Sequence, residues 1–337
     1  MAWTKNQHKS FYVSERPGHN TPRDVDSSIA ENLFDMFGFA RVLVNNVRSL
    51  RSLNKKAPTH LLFVDNSYDF IAILELQSSL ENLEKNVQLW SKLTRLYRYT
   101  VWNPCRCLLR NSGYSGTAAL FRHHPEEIEF GFFGDPSSDM EGRLITVTFK
   151  DCAVVSTYHP AVWRESDHDT NTEAQDRFFR AQGNRRTFEN KLRQHCSLLF
   201  SARKLIFMGD INFTLHDYQM PLHCRDRFGL AAVCPISRAT LTTMLIECNL
   251  QLTLPQSRSA STYFPEPNMR NQKRNIGMEI DCIFADASLQ VVDSQVLSDC
   301  TGSDHRPVTA ILAKEGATLK PLGSGCDATM VLDPVPA

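Results

Sequence analysis

The sequence predicts an α/β fold of two packed β-sheets flanked by helices. Three features point there. Wholly apolar runs of strand length recur along the chain, stretches with helical spacing and capping residues lie between them, and several strand-like runs follow one another closely enough to form hairpins.

Residues 1–27 are polar and contain proline, and they read as a flexible arm. Ser28 and Glu31 have capping-box spacing ahead of Ile29, Leu33 and Phe37, with Gly38 as a stop, so a helix is expected over 28–38. Val42-Leu43-Val44 reads as a buried strand ending in Asn45-Asn46. Pro58 opens an expected helix through Leu61, Leu62 and Val64. The run 70–74 is a second buried strand, ending at Glu75. A capping box at Ser78 and Glu81 starts a longer helix with Leu80, Leu83, Val87, Trp90 and Tyr97 on one face. Further strands are expected over 116–121, 144–149, 152–157, 205–208, 280–284 and 308–312. Residues 172–200, rich in arginine, glutamine and helix formers, predict a long amphipathic helix. From about Lys314 periodicity is lost, so 314–337 reads as a flexible tail and 28–313 as one structured domain. No internal repeat is visible.

The chain has 337 residues, 42% of them hydrophobic and 22% charged, which suits a globular domain with a large core. Lysine plus arginine equals aspartate plus glutamate, at 37 each. That balance argues against a protein that coats nucleic acid, but it leaves room for local basic patches. The 10 cysteines include no C-x-x-C pair, and several sit in apolar runs, so they read as reduced thiols of an intracellular protein. The opening residues lack the apolar core of a secretory signal, and no run reaches the roughly 18–20 apolar residues of a membrane span. A protein that is not secreted and has no membrane partner is expected.

The chemistry lies where strands end. Asn46, Glu75, Tyr158, Asp210, Asn212, Asp281, Asp304 and His305 each follow or close an apolar run, and strand ends converge at one rim of a sheet pair. Taken singly, Asp210-Ile211-Asn212 is also an ordinary turn, and Ser303-Asp304 an ordinary cap. Glu75 is harder to dismiss, because a carboxylate at the end of a buried run needs a partner, often a cation. As a set they suit phosphodiester hydrolysis. Asp210 would act as base on water, and Asn212 would donate to a phosphoryl oxygen or to the nucleophile. Asp281 would orient or charge His305. Oxygen ligands such as Glu75 favour Mg²⁺ or Mn²⁺ over zinc.

At these residues the chain resembles the endonuclease/exonuclease/phosphatase superfamily. NNVRSL (45–50) and DFIAILE (69–75) are similar to its two metal-site strands. GYSGTAALFR (113–122) and EGRLITVTF (141–149) are similar to strands of apurinic endonucleases, and VSTYHPA (155–161) to their catalytic-tyrosine strand. IFMGDIN (206–212), NIGMEIDCIF (275–284) and GSDHRPV (302–308) complete the set in order, over about residues 39–313. The resemblance implies a four-layer α-β-β-α sandwich and a divalent-metal phosphodiesterase. Asn46, Glu75 and Asp304 would serve the metal, and Tyr158 would contact the phosphate. Asp210, Asn212, Asp281 and His305 would carry the reaction. His159 is the alternative to Tyr158, since hydrolases of the wider superfamily place a histidine on this strand.

Within that family the NVRSL block with Lys55 and Lys56 after it looks like endonuclease domains of non-LTR retrotransposons, relatives of apurinic endonucleases. The Trp-x-Asp-Arg signature of inositol polyphosphate phosphatases is missing. Arg48 stands where apurinic endonucleases have an acidic metal-site residue, Ala161 replaces an asparagine, and Met278 replaces the tryptophan that shapes the abasic pocket. The resemblance therefore implies a monomeric DNA endonuclease acting on abasic or intact duplex, with 3′-phosphatase or 3′-phosphodiesterase trimming at the same site. The alternatives are an inositol phosphate, lipid headgroup or RNA hydrolase on the same scaffold, or a non-catalytic binding module. Arg48, Arg185, Arg186 and Met278 are expected at the DNA, with Arg270, Lys273 and Arg274 in a loop that in the family reaches a DNA groove. A DNA substrate suggests a nuclear protein.

Overall fold

The computed structural model describes residues 26–50, 68–78, 97–107, 114–133, 135, 138–161, 172–220, 234–255, 261–264, 277–300 and 302–317. The first sheet is built from β1 (Phe39–Asn46), β2 (Phe70–Leu74), β3 (Tyr99–Asn103), β4 (Thr117–Phe121), β11 (Gln290–Val296) and β12 (Val308–Ala313). The second holds β5 (Glu127–Phe130), β6 (Leu144–Thr148), β7 (Cys152–Tyr158), β8 (Lys204–Asp210), β9 (Leu250–Leu252) and β10 (Asp281–Asp286). Helix α1 (Thr172–Phe200) connects β7 to β8, and α2 (Pro235–Glu247) precedes β9.

The strand orders are β11-β12-β1-β2-β4-β3 and β5-β6-β7-β8-β10-β9. Only β1 with β2 and β7 with β8 run parallel; the other neighbours are antiparallel. Parallel neighbours need a long crossover, which α1 supplies for β7 and β8. Alternation along each strand then sorts the side chains. Val42, Val44, Phe70, Ala72, Phe121, Val147, Val154, Ile206, Met208 and Ile283 fill the space between the sheets. Leu144, Val155, Phe207 and Phe284 point the other way, onto Phe188, Leu192 and Cys196 of α1 and Leu241 and Met244 of α2. Leu43, Ile71, Ile73, Leu120 and Trp102 form an apolar face on the far side of the first sheet, packed with Val47, Leu50, Leu76 and Tyr97. Both faces of most strands are therefore buried, which is why they read as unbroken apolar runs. Each buried Val, Leu, Ile, Met or Phe among them contributes about 1.5–3 kcal/mol.

The parallel approach of β7 and β8 requires Gly209, where an added Cβ would collide with the Thr157 carbonyl oxygen. This glycine lets Asp210 end its strand beside Tyr158, its partner in register.

One expectation fails at the start. No α-helix forms over 28–38; a single 3-10 turn spans Ser27–Ile29, capped by Asp26. The amides that a helix would have used are taken elsewhere. Leu33 N and Phe34 N donate to the Asp151 carboxylate at 2.8 and 3.3 Å, and the Glu31 carboxylate accepts from His124 N. The helices expected over 58–64 and 78–97 lie outside the described residues, apart from Ser78 and Tyr97. Strands β3, β5, β9 and β11 and helix α2 are additions to the sequence reading. No disulfide occurs among the described residues, whose eight cysteines are free. No described helix is long and apolar enough to cross a membrane.

Candidate active site

The ends of β1, β2, β7, β8 and β10 and the turn before β12 meet at one mouth between the sheets. Asp210 closes β8 and Asp281 opens β10, and the two are directly paired in register. Antiparallel pairing thus sets two buried carboxylates side by side. His305 Nδ1 lies 2.8 Å from Asp281 Oδ2, and its Nε2 lies 3.9 Å from Asp210 Oδ2. From the first sheet, Asn46 Nδ2 donates to Asp210 Oδ2 at 2.9 Å, across 164 residues of sequence. Asn46 also bonds Glu75, whose carboxylate accepts from Gln77 Nε2 at 2.7 Å. Glu75 has a left-handed backbone (φ 58°), which turns its side chain out of the β2 alternation and into the mouth.

The turn before β12 is tied down locally. Ser303 Oγ donates to the Asn46 carbonyl at 2.9 Å and accepts from His305 N at 3.1 Å. Asp304 Oδ2 lies 3.1 Å from an Arg48 guanidinium nitrogen, and Arg48 N donates to Asn46 Oδ1 at 2.8 Å. Thr262 Oγ1 accepts from Ile280 N and Asp281 N, both at 3.0 Å. The Tyr263 ring packs on His305 with centroids 4.6 Å apart. Thr262 and Tyr263 escaped the sequence reading because they stand outside any apolar run.

Charge follows from burial. Asp210 is pushed up to about 7, first by burial and then by the neighbouring Asp281. Burial works against a charge on His305, but Asp281, by charge and hydrogen bond, with Asp210 and Asp304 behind it, raises it to about 10. The pair therefore holds a cationic imidazole beside a carboxyl that titrates near neutrality. Burial also raises Glu75, opposed mainly by the His305 charge and the bonds from Asn46 and Gln77.

Tyr158 and His159 separate cleanly. Tyr158 faces the mouth, its hydroxyl pushed far up by burial and by the Glu75 charge, with the Arg143 guanidinium 4.8 Å over its ring. Arg143, another residue the sequence reading passed over, donates to the Tyr158 and His159 carbonyls at 3.0 and 3.2 Å. The next side chain in an extended strand must point the opposite way. His159 accordingly lies behind the second sheet among Phe188, Phe207 and Phe213, and burial holds it neutral. It does not face the cluster, which corrects its place as a catalytic alternative.

Two residues expected at DNA are also corrected. Arg185 is 2% exposed, paired with Glu189 one helical turn away, and it donates to the Ile211 and Asn212 carbonyls. Met278 is 1% exposed, sealed by paired backbone bonds with Tyr263. Arg186 is exposed on α1, and Arg48 is exposed at the mouth. Lys191 and Arg193, in the same basic stretch, are spent on Asp135 and Glu247. Arg270, Lys273 and Arg274 lie outside the described residues.

The donor set fits a hard divalent cation. Glu75, Asn46 and Asp304 offer oxygen atoms, and the bonds seen on the Glu75 carboxylate come from neutral amides, so its charge is left for another cation. Asp210, Asp281 and His305 also bring ligand-type atoms within 4.8 Å of one another. The short Asp281–His305 bond makes this second group read as an oriented acid–base pair.

Such a sandwich, with carboxylates, amides and one oriented imidazole gathered where its sheets meet, defines a phosphoesterase. The model of the Endonuclease/Exonuclease/phosphatase family matches residues 42–305, and the chain belongs to that family of hydrolytic nucleases and phosphodiesterases. Among its relatives is the DNA repair nuclease APEX1 of Danio rerio, 26% identical over 211 residues, covering 60% of this chain and 61% of that protein. The exodeoxyribonuclease of Bacillus subtilis is 26% identical over 274 residues, covering 79% of this chain and 97% of that one. Solved structures bear out the expected α/β sandwich. The AP endonuclease LMAP from Leishmania major has a TM-score of 0.64 at 18% identity, covering 86% of this chain and 91% of that chain. The 3′-5′ exonuclease NExo from Neisseria meningitidis has a TM-score of 0.61 at 21% identity, covering 80% and 98%.

Proposed function

We propose that this chain is a divalent-metal-dependent DNA endonuclease of the apurinic-endonuclease kind, which cuts a phosphodiester by in-line attack of water and leaves a 3′-hydroxyl. The observation that carries the reading is the meeting of Asp210, paired with Asp281 and bonded by Asn46, with the Asp281-oriented His305.

Asp210, titrating near neutrality, takes a proton from the attacking water. The charged His305 faces the phosphoryl oxygens, and the Tyr158 hydroxyl, held protonated by burial, donates to them. Asn212 spends one amide hydrogen on the His159 carbonyl, at 2.9 Å, and has the other for a phosphoryl oxygen. Glu75, Asn46 and Asp304 would hold Mg²⁺ or Mn²⁺, which supplies Lewis-acid neutralisation of phosphoryl charge when bound. Arg48, half-exposed on the rim, meets a backbone phosphate. A related solved structure, described as 3′ phosphatase NExo bound to product DNA hairpin, supports trimming of 3′ ends as a second activity at the same mouth.

A side-by-side panel tests this: abasic duplex, intact duplex, 3′-phosphate ends and inositol phosphates, each with Mg²⁺ and with chelator. Metal-dependent nicking of the abasic duplex is expected, with slower release from 3′-phosphate ends. Release from inositol phosphates far faster than any DNA cleavage would replace the reading with a phosphatase. Full activity of Asp210→Ala or His305→Ala protein would refute it.

A further inference from the structure

The basic run on α1 predicts phosphate contacts, yet its Arg185 is sealed from solvent and spent on two carbonyls. We propose that the Arg185–Glu189 pair is a positioning clamp that sets Asn212, and through it the tip of β7, for cleavage. The inference rests on the reading of Asp210 and Asn212 given under Proposed function.

Asn212 has a left-handed backbone (φ 56°), a conformation that asparagine tolerates better than other residues with a side chain and that contacts on both sides fix here. What holds it lies behind the strand tip. One guanidinium donates to the carbonyls on both sides of the turn, to Ile211 O at 3.0 Å and Asn212 O at 3.4 Å. The guanidinium lies 4.6 Å over the Phe213 ring, which fixes its plane. Glu189 accepts from Arg185 Nε at 2.8 Å and balances its charge where solvent cannot. Arg185 and Glu189 are 2% and 4% exposed, so a DNA phosphate has no route to this cation.

On the other side Asn212 faces the reaction. Its N–H donates to Asp210 Oδ1 at 2.8 Å, and its Nδ2 donates to the His159 carbonyl at 2.9 Å. The His159 N–H in turn donates to the Asp210 carbonyl at 2.9 Å. Asn212 is thus held from behind by a planar fork and aligns from the front both the proposed base and the strand that carries Tyr158. Releasing the fork frees the turn to shift and moves these groups together. A shift of about 1 Å at a reacting centre can lower a rate about a hundredfold.

Two variants separate positioning from folding. Arg185→Lys keeps a cation beside Glu189 but cannot grip both carbonyls in one plane. The Arg185→Met/Glu189→Leu pair removes the clamp without leaving a buried charge alone. Steady-state cleavage of an abasic duplex with Mg²⁺ is measured for each, alone and combined with Asn212→Ala, alongside the thermal midpoint. The expected result is a fall in kcat of about tenfold to a hundredfold with KM unchanged. Combined with Asn212→Ala, the clamp variants should lose less than they do alone, because the part of their effect that the Asn212 amide carries is already gone. Wild-type kcat in a folded clamp variant, or losses that multiply with Asn212→Ala, would overturn the proposal. Full activity of Asn212→Ala alone would overturn the reading of the site itself.

Discussion

Asp210 and Asp281, 71 positions apart by residue number, are register partners across β8 and β10, and His305 bonds one while facing the other. Burial and the neighbouring Asp281 raise Asp210, while Asp281 opposes the burial of the imidazole and keeps His305 charged. Asp281→Asn should leave the fold intact, remove the carboxylate charge that keeps His305 protonated, and lower the cleavage rate by about 10²–10⁴-fold. Single-turnover cleavage measured from pH 5 to 9 checks this; an unchanged rate would remove the dyad from the reaction.

Glu75 carries its charge on neutral amides. A divalent cation that binds the folded chain alone must raise its stability by mass action. Mg²⁺ or Mn²⁺ should therefore raise the thermal midpoint of the wild type, and Glu75→Gln should need about tenfold or more metal for the same rise. Identical metal titrations of the two proteins would place the cation elsewhere.

Arg48 stands 55% exposed with one guanidinium nitrogen on Asp304. If it meets a DNA phosphate, Arg48→Gln should weaken duplex binding at every sequence alike. The slope of log affinity against log salt should fall by about one. Fluorescence anisotropy between 50 and 300 mM salt is the measurement, and an unaltered slope would leave Arg48 as a partner of Asp304 only.

His195 sits under β6, with Nε2 2.8 Å from Thr146 Oγ1 and Nδ1 accepting from Phe133 N at 3.2 Å, and burial pushes it down to about 4. In the unfolded chain it titrates near 6.5. Above that value both states are neutral and it adds no pH dependence. As pH falls from about 6.5 to about 4 the unfolded chain gains a proton that the native one refuses, so up to about 3 kcal/mol of stability is lost. His159, also held neutral by burial, acts in the same direction. Denaturant unfolding at pH 7 and 4.5 should show a smaller acid loss for His195→Gln than for the wild type.

The parts of the fold most legible in the sequence are those whose two faces are both covered. β1, β2, β4, β7, β8 and β10 are nearly continuous apolar runs because each has apolar neighbours above and below. The edge strand β11 mixes exposed and half-buried residues, β5 interleaves Glu127 and Glu129 with Ile128 and Phe130, and β9 has three residues, so none has an apolar run to read. The failed helix at 28–38 has a similar lesson: Glu31, expected in its capping box, turns to His124 N, and Asp151, 118 residues from Leu33, claims the amides.

At the site, the polar residues at strand tips were readable, and their pairing was not. Nothing local links Asn46 to Asp210, or reveals that two carbonyls behind Asn212 need a donor. Arg185 therefore reads as one charge in a basic run until the back of the strand is seen. The choice between Tyr158 and His159 depends on one step of strand alternation, and only the register of β7 against its neighbours decides it.

The pairing of β1 with β12 sets Phe39 opposite Ala313, at the far end of these strands from Asn46 and His305. The first sheet thus begins and finishes at one pole, while the candidate site lies at the other. A fluorophore attached at the exposed Glu315, beside the first pole, would have the whole length of the sheet between it and the candidate mouth.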